Sequence, residues 1–352
     1  MSILYIGPYR QTDSWGKISK ALLDNLAFCI EDKNNLSSRN IWYNQSIDSV
    51  INGEIFEFEK RKVSKPEILI QHGIPNNLVY HGKFKKNIVV TSIEHDISYV
   101  GWVSNLNLFD TIVVFSEHEK EILKKSGVKT EIFNFDTYPV NLSSIKDKKI
   151  DISLGNKKTF YAEVSTNSKS GINQILSAYY STFTSLDDVA LILYSSDKNL
   201  LNFINEFKEK MNLYSSKELY PTVAIANSED EIDWSHKFSD FYIHVNFNAK
   251  PDINFLKSIY QNKICLCLDN VKLLNNYDYQ IKSHYEISVG STKSNFYKHK
   301  NYYTIPSSAD LSNKMKMAFD GYRIKENKSL VSDYSQEIHK SFIDKAKQLI
   351  CI

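Results

Sequence analysis

With 352 residues, 42% of them apolar, the chain is long enough for about two domains of ordinary size, each with its own core. Its 43 Lys and Arg nearly balance 41 Asp and Glu, so no global field recruits nucleic acid or a membrane, and either partner would have to be held by a local patch. Cys29, Cys265, Cys267 and Cys351 lack CxxC or Cys/His spacing, and the longest apolar runs have only strand length; the reading is reduced thiols in a cytoplasmic protein with no transmembrane segment or signal peptide.

In chain order, residues 2–6 read as a strand, 7–14 as a loop, and 16–30 as a helix with Ile18, Leu22, Leu26 and Ile30 on one stripe. Strands follow at 55–58, 68–71, 88–93, 111–115 and 131–135. After 111–115, Ser116 reads as a helix N-cap with Glu119 as its capping-box partner, and Gly127 closes that helix. The polar stretch 136–149, with Pro139, reads as a linker. A second alternation begins with a strand at 159–164 and a helix stripe of Ile172, Ile175, Leu176, Tyr179 and Phe183. A strand at 189–194, a helix carrying Leu200, Ile204, Phe207 and Met211, strands at 222–226, 241–245 and 264–268, and a last helix at 334–350 complete the chain. Two βαβ-rich halves predict an α/β protein of two doubly wound domains, 1–145 and 146–330.

Chemistry is expected where strands end and helices begin. The loop from Gly7 to Gly16 opens and closes on glycine, which lets the backbone approach diphosphate or sugar oxygens. It is not a GxGxxG, so a nicotinamide cofactor has little support. Within it, Arg10 can fork onto phosphate and Trp15 can stack on a sugar or base, or else Trp15 packs on the sheet. Glu94, His95 and Asp96 end an apolar strand and can orient a hydroxyl or stabilise developing positive charge. His72, before Gly73, is a second candidate on the same rim or a structural hydrogen-bonder. In the second half, Lys169 and Gly171 stand before the helix beginning at Ile172. No strand-terminal DxD appears, Asp187 and Asp188 are adjacent, and 229–233 reads as a charged loop, so no metal and no cofactor are expected. No GxSxG or Cys/His pair offers a nucleophile.

Phe109-Asp110, Val113-Val114-Phe115-Ser116, Glu121 and Ser126-Gly127-Val128 together resemble, position by position, a pattern in the N-terminal domain of GT-B nucleotide-sugar glycosyltransferases, the retaining group called family four. The resemblance implies two facing Rossmann-like domains, acceptor bound by the first and a nucleotide-sugar donor, UDP-linked, by the second, with residues 331–352 as a helix returning to the first domain. It implies front-side attack helped by leaving-group stabilisation, with Glu94, His95 and Asp96 on the acceptor side and Lys169 and Gly171 at the diphosphate. The family's preceding Arg has no obvious counterpart here, since Ser165 stands near its place. A larger departure lies at 245–258, where the family carries two glutamates spaced by seven residues. In one register these become Ala249 and Lys257; in another, Asn246 and Asn254, with Asp252 the only acid nearby. A divergent enzyme, a displaced motif and a catalytically degenerate sugar- or nucleotide-binding module all stay open. The opening from Gly7 to Gly16 is also similar to glycosyltransferases of large tailed phages, some of which modify hydroxymethylated bases. The acceptor stays open among a glycan, a lipid-linked sugar and such a base, with Lys60, Arg61, Lys62, Lys83, Lys85 and Lys86 as candidate groove cations against a near-neutral whole.

Overall fold

The computed structural model describes residues 2–11, 14–41, 54–63, 65–93, 100–136, 154–166, 170–195, 197–213, 216–226, 229–246, 253–261, 263–269, 279–288, 301–321 and 331–351. The chain divides into two compact units, Met1–Asn141 with Ser288–Asn301 and Tyr334–Ile352, and Leu142–Ile287 with Tyr302–Asp333.

The first unit is built on β1 (Ile3–Gly7), α1 (Ser14–Cys29), β2 (Leu36–Asn40), α2 (Glu54–Lys60), β3 (Ile68–His72), β4 (Lys86–Val90), α3 (Val100–Leu106), β5 (Thr111–Val114), α4 (Glu117–Lys125) and β6 (Glu131–Asn134). Its strands, all parallel, run in the order β2-β1-β3-β4-β5-β6. Parallel strands buried on both faces need apolar residues on both, and the continuous burial of β3 and β5 and of Asn87 to Val90 in β4 shows this. Strand order reverses between β1 and β3, which opens a crevice at their carboxyl ends.

The second unit carries β7 (Lys158–Glu163), α5 (Ile172–Thr182), β8 (Val189–Tyr194), α6 (Leu200–Met211), β9 (Thr222–Ala226), α7 (Glu229–Phe238), β10 (Phe241–His244), α8 (Ile253–Tyr260), β11 (Ile264–Leu268), β12 (Tyr279–Ile281) and α9 (Ser308–Phe319). Its parallel sheet runs β12-β11-β10-β7-β8-β9, with the reversal between β7 and β10. The core centres on stacked Phe160 and Phe241, with Tyr179, Tyr180 and Phe183 of the α5 stripe and its C-cap packed into it. A small sheet pairs β13 (Ser283–Ser288) with β14 (Asn301–Pro306).

The final helix, α10 (Val331–Cys351), returns to the first unit. Phe342 stacks on Phe135 with ring centroids 4.3 Å apart, and Lys345 Nζ donates to the carbonyls of Asn134 and Phe135 at 3.3 Å and to the Asp136 carboxylate. Those carbonyls lie at and just after the end of β6, the edge strand of its sheet.

Each unit is a doubly wound α/β sheet, as expected from the sequence, with local differences. Residues 55–58 are helical rather than a strand, because Ile55 and Phe58 are buried three apart while Phe56 faces solvent, a helical and not an alternating period. The charged run 229–233 opens α7 rather than forming a loop. The edge strand β2 was not expected, since Leu36-Ser37-Ser38-Arg39-Asn40 has little apolar character; its buried Ser38 is held by the Tyr9 hydroxyl at 3.0 Å. Strand β4 stops at Val90, three residues short of the sequence reading. The linker expected at 136–149 lies, apart from Asp136, outside the described residues.

Candidate functional site

At the carboxyl edge of the first sheet the chain turns sharply from β1 into α1. A Cβ on Gly16 would lie 2.1 Å from the Gln11 carbonyl oxygen, and one on Gly7 would lie 2.7 Å from Ser19 Oγ. The space saved by both glycines is therefore taken by the chain itself, which locks the turn against the helix. Arg10 does not stand open for phosphate: its Nε donates to Glu59 Oε1 at 2.8 Å and its Nη2 pairs with Oε2, a fork supplied by α2.

Trp15 and His72 are brought together, with ring centroids 4.6 Å apart in an edge arrangement. His72 is fully buried, and its Nδ1 lies 2.9 Å from the Tyr5 hydroxyl, which also contacts Ser19 Oγ at 2.8 Å. Burial drives the imidazole pKa down to about 3, and it pushes the Tyr5 phenol upward. Both groups are thus uncharged hydrogen-bonders at neutral pH.

Glu94, His95 and Asp96 lie outside the described residues, but the backbone leading to them is anchored. Glu119, fully buried, accepts from Ser92 Oγ, from Ile93 N at 3.3 Å, from Phe115 N at 3.2 Å and from Ser116 Oγ at 3.2 Å. The Ser116 hydroxyl in turn accepts from Glu119 N at 3.3 Å, the cap read from sequence. One carboxylate at a helix N-terminus therefore ties the end of β4 to the end of β5.

In the second unit the strand-order reversal brings Gly171 against the end of β10. Gly171 caps α5 at φ +72°, and a Cβ there would meet the Val245 carbonyl oxygen at 2.6 Å, so a side chain is excluded on conformational and steric grounds. Asn246 follows Val245 directly, which sets it beside the amino end of α5. The loop from β7 is pinned at both ends: Thr166 Oγ1 donates to the Asp197 carboxylate, and Ser170 Oγ donates to the Ser165 carbonyl at 2.5 Å. Lys169 lies between them, outside the described residues, as does Asp252.

Asn254 sits in the first turn of α8 and donates from Nδ2 to Glu163, the last residue of β7. Its Oδ1 lies 3.2 Å from His236 Nε2, which places the ring proton on that nitrogen, while Nδ1 lies 3.0 Å from the Ser258 Oγ, whose hydroxyl donates to the Asn254 carbonyl at 2.9 Å. Burial, and then the charge of Lys257, lower the His236 pKa to about 3. This relay of Ser258, His236, Asn254 and Glu163 went unread in the sequence. Its one local signal was a glutamate closing the apolar strand 158–163 just before a polar loop.

No protein-family model matches the chain, and no curated protein matches it in sequence. Its fold does match solved structures. Anabaena HepE (Alr3699) in complex with UDP and glucose aligns over 100% of this chain and 98% of its own, at TM-score 0.63 and 10% identity. The lipopolysaccharide outer core galactosyltransferase WaaB, in apo form, aligns over 98% and 99% at TM-score 0.63 and 10% identity. A trehalose-6-phosphate structure from E. coli bound with UDP-2-fluoroglucose aligns over 99% and 98% at TM-score 0.59 and 10% identity. At such identities the likeness speaks for the fold, and this chain has the two-unit, Rossmann-like GT-B fold of those glycosyltransferases.

Proposed function

We propose that this chain is a retaining glycosyltransferase that moves a sugar, hexose or pentose, from a UDP-linked donor to an acceptor hydroxyl in the cytoplasm. The observation that carries this reading is the Gly171 corner, where the amino end of α5 meets the end of β10 at the strand-order reversal of the second sheet. Such corners hold phosphate, because open N–H groups and the helix dipole both favour an anion. The full-length match to UDP-bound structures of the same fold supports it.

Lys169 is assigned to the donor diphosphate. Lys169→Ala is expected to weaken UDP binding by roughly 1.5 to 3 kcal/mol, the range for a charged hydrogen bond. Titration calorimetry giving an unchanged Kd would remove Lys169 from the site.

Departure of the diphosphate is then assisted by side chains and the helix terminus, with the nucleotide sugar as co-substrate and neither metal nor cofactor in the chemistry. Activity is expected to survive EDTA. Complete loss on chelation, restored by magnesium or manganese, would show that a metal takes part.

A degenerate binding module is the other reading of a chain without the glutamate pair. Glu163 speaks for the enzyme, since β7 brings a carboxylate to the Asn254 amide beside the donor corner. Among acceptors a glycan is favoured over a hydroxymethylated duplex. Lys60 lies near Glu57, Arg61 Nη1 donates to the Lys33 carbonyl, and Lys85 pairs with Glu67, so three of the six candidate groove cations have partners within the chain, which supports the glycan.

A further inference from the structure

Three side chains at the carboxyl edge of β2, β1 and β3 carry buried polar atoms without a hydrogen-bond partner among the described residues: Asn40 Nδ2, Gln11 Nε2 and Oε1, and His72 Nε2. The register makes this one place. Tyr5 pairs with Ser38 and with Ile70, and Gly7 pairs with Asn40, so with a period of two Asn40, Gly7 and His72 share a face across three neighbouring strands. Parallel strands lie about 4.8 Å apart, so the row spans about 10 Å. Gln11 follows in the loop from Gly7, 5% exposed, its backbone N–H turned back to the Pro8 carbonyl. The half-buried Trp15 indole borders the same edge through its contact with His72.

Buried polar atoms are nearly always hydrogen-bonded, because leaving one unmade costs the desolvation of that group. Four such atoms at a strand-order reversal, where open parallel sheets receive ligands, call for an occupant. Its chemistry follows from theirs. Gln11 offers donors and an acceptor, Asn40 a donor, and His72 Nε2 one or the other according to which way the Tyr5 hydroxyl points. None of the three is charged, since burial keeps His72 neutral, and the nearby Arg10 is neutralised by Glu59.

We infer that this edge is the seat of a neutral polyhydroxylated ligand, a pyranose ring, gripped by Gln11, His72 and Asn40 beside Trp15. The inference rests on the acceptor reading above and narrows it: the acceptor presents an uncharged sugar here, rather than a phosphorylated sugar or a nucleic-acid backbone.

The test uses the full chain, wild type and Gln11→Met, with saturation-transfer NMR on methyl glucoside, methyl galactoside, methyl mannoside, glucose 6-phosphate and a hydroxymethylcytosine duplex. At least one methyl glycoside should bind wild type and bind Gln11→Met at least tenfold more weakly. Because the replaced amide has no partner among the described residues, the melting temperature of Gln11→Met should stay level or rise. Gln11→Ala serves the same comparison if Gln11→Met does not fold. Binding only of glucose 6-phosphate or the duplex, no glycoside binding at all, or a variant that melts earlier yet binds as before would overturn the inference. UDP affinity, read in the same samples, separates the two claims: wild type that binds UDP but no methyl glycoside refutes this seat alone, whereas no UDP binding in wild type refutes the transferase reading.

Discussion

Replacing Glu94 by Gln is expected to lower turnover on the order of a hundredfold while leaving donor affinity nearly unchanged, the signature of a group that acts in the transition state and not in donor binding. The expectation rests on how the chain leads into residue 94. Strand β4 ends at Val90, Thr91 N donates to the Val113 carbonyl at 3.1 Å, and Ser92 and Ile93 are held by the buried Glu119 carboxylate. A strand end fixed this firmly, beside the loop into α4, is a place from which a carboxylate can hold a hydroxyl or meet developing positive charge. The substitution keeps size and hydrogen bonding and removes charge alone, so melting should be unaffected. Steady-state kinetics with full turnover in the Gln variant would make Glu94 structural and move acceptor chemistry toward Trp15 and His72.

Acidification is expected to weaken the fold steeply, through two imidazoles. His72 in the first unit and His236 in the second have folded pKa values near 3, both lowered first of all by burial, against 6.5 when exposed. Above pH 6.5 neither state binds the proton and the histidines leave stability unchanged. As the pH falls from 6.5 toward 3, the unfolded chain takes up protons that the folded chain refuses. Each histidine then costs on the order of 1 kcal/mol per pH unit. Urea midpoints should thus fall markedly between pH 7 and pH 5, each unit through its own histidine, with His236→Gln relieving the slope of the second unit. Equal midpoints at the two pH values would mean that the imidazoles are hydrated.

Much of the fold could be read directly because parallel strands announce themselves as continuous β-branched or aromatic runs. Residues 222–226 and 264–268 form strands with the bounds expected, and Ser116 with Glu119 caps α4 as expected. The misreading of 55–58 arose because a short amphipathic segment can satisfy two periods at once, and β2 was missed because it is an edge strand with little apolar character. Phe56 to Glu59 alternates apolar and acidic residues as a strand would, yet the buried apolar pair is Ile55 and Phe58. For the candidate site the sequence offered strand ends and glycines but no pairings. Trp15 and His72 were both placed on the acceptor rim, and they meet. That Arg10 would be neutralised by Glu59, forty-nine residues away, or that Asn254 would reach Glu163 across ninety-one, depends on sheet order, which no local pattern encodes. Gln11 escaped notice because a glutamine in a turn reads as solvated; only burial without a partner gives it meaning.

The central claim, transfer of a sugar from a UDP-linked donor, is tested most directly by mass spectrometry of the full chain incubated with UDP-hexoses and UDP-pentoses, with glycan and hydroxymethylcytosine-DNA acceptors side by side. The account predicts release of UDP and the mass of one sugar added to a glycan. A chain that binds UDP yet adds no sugar to either acceptor and hydrolyses none of the donors would contradict it and leave the degenerate module.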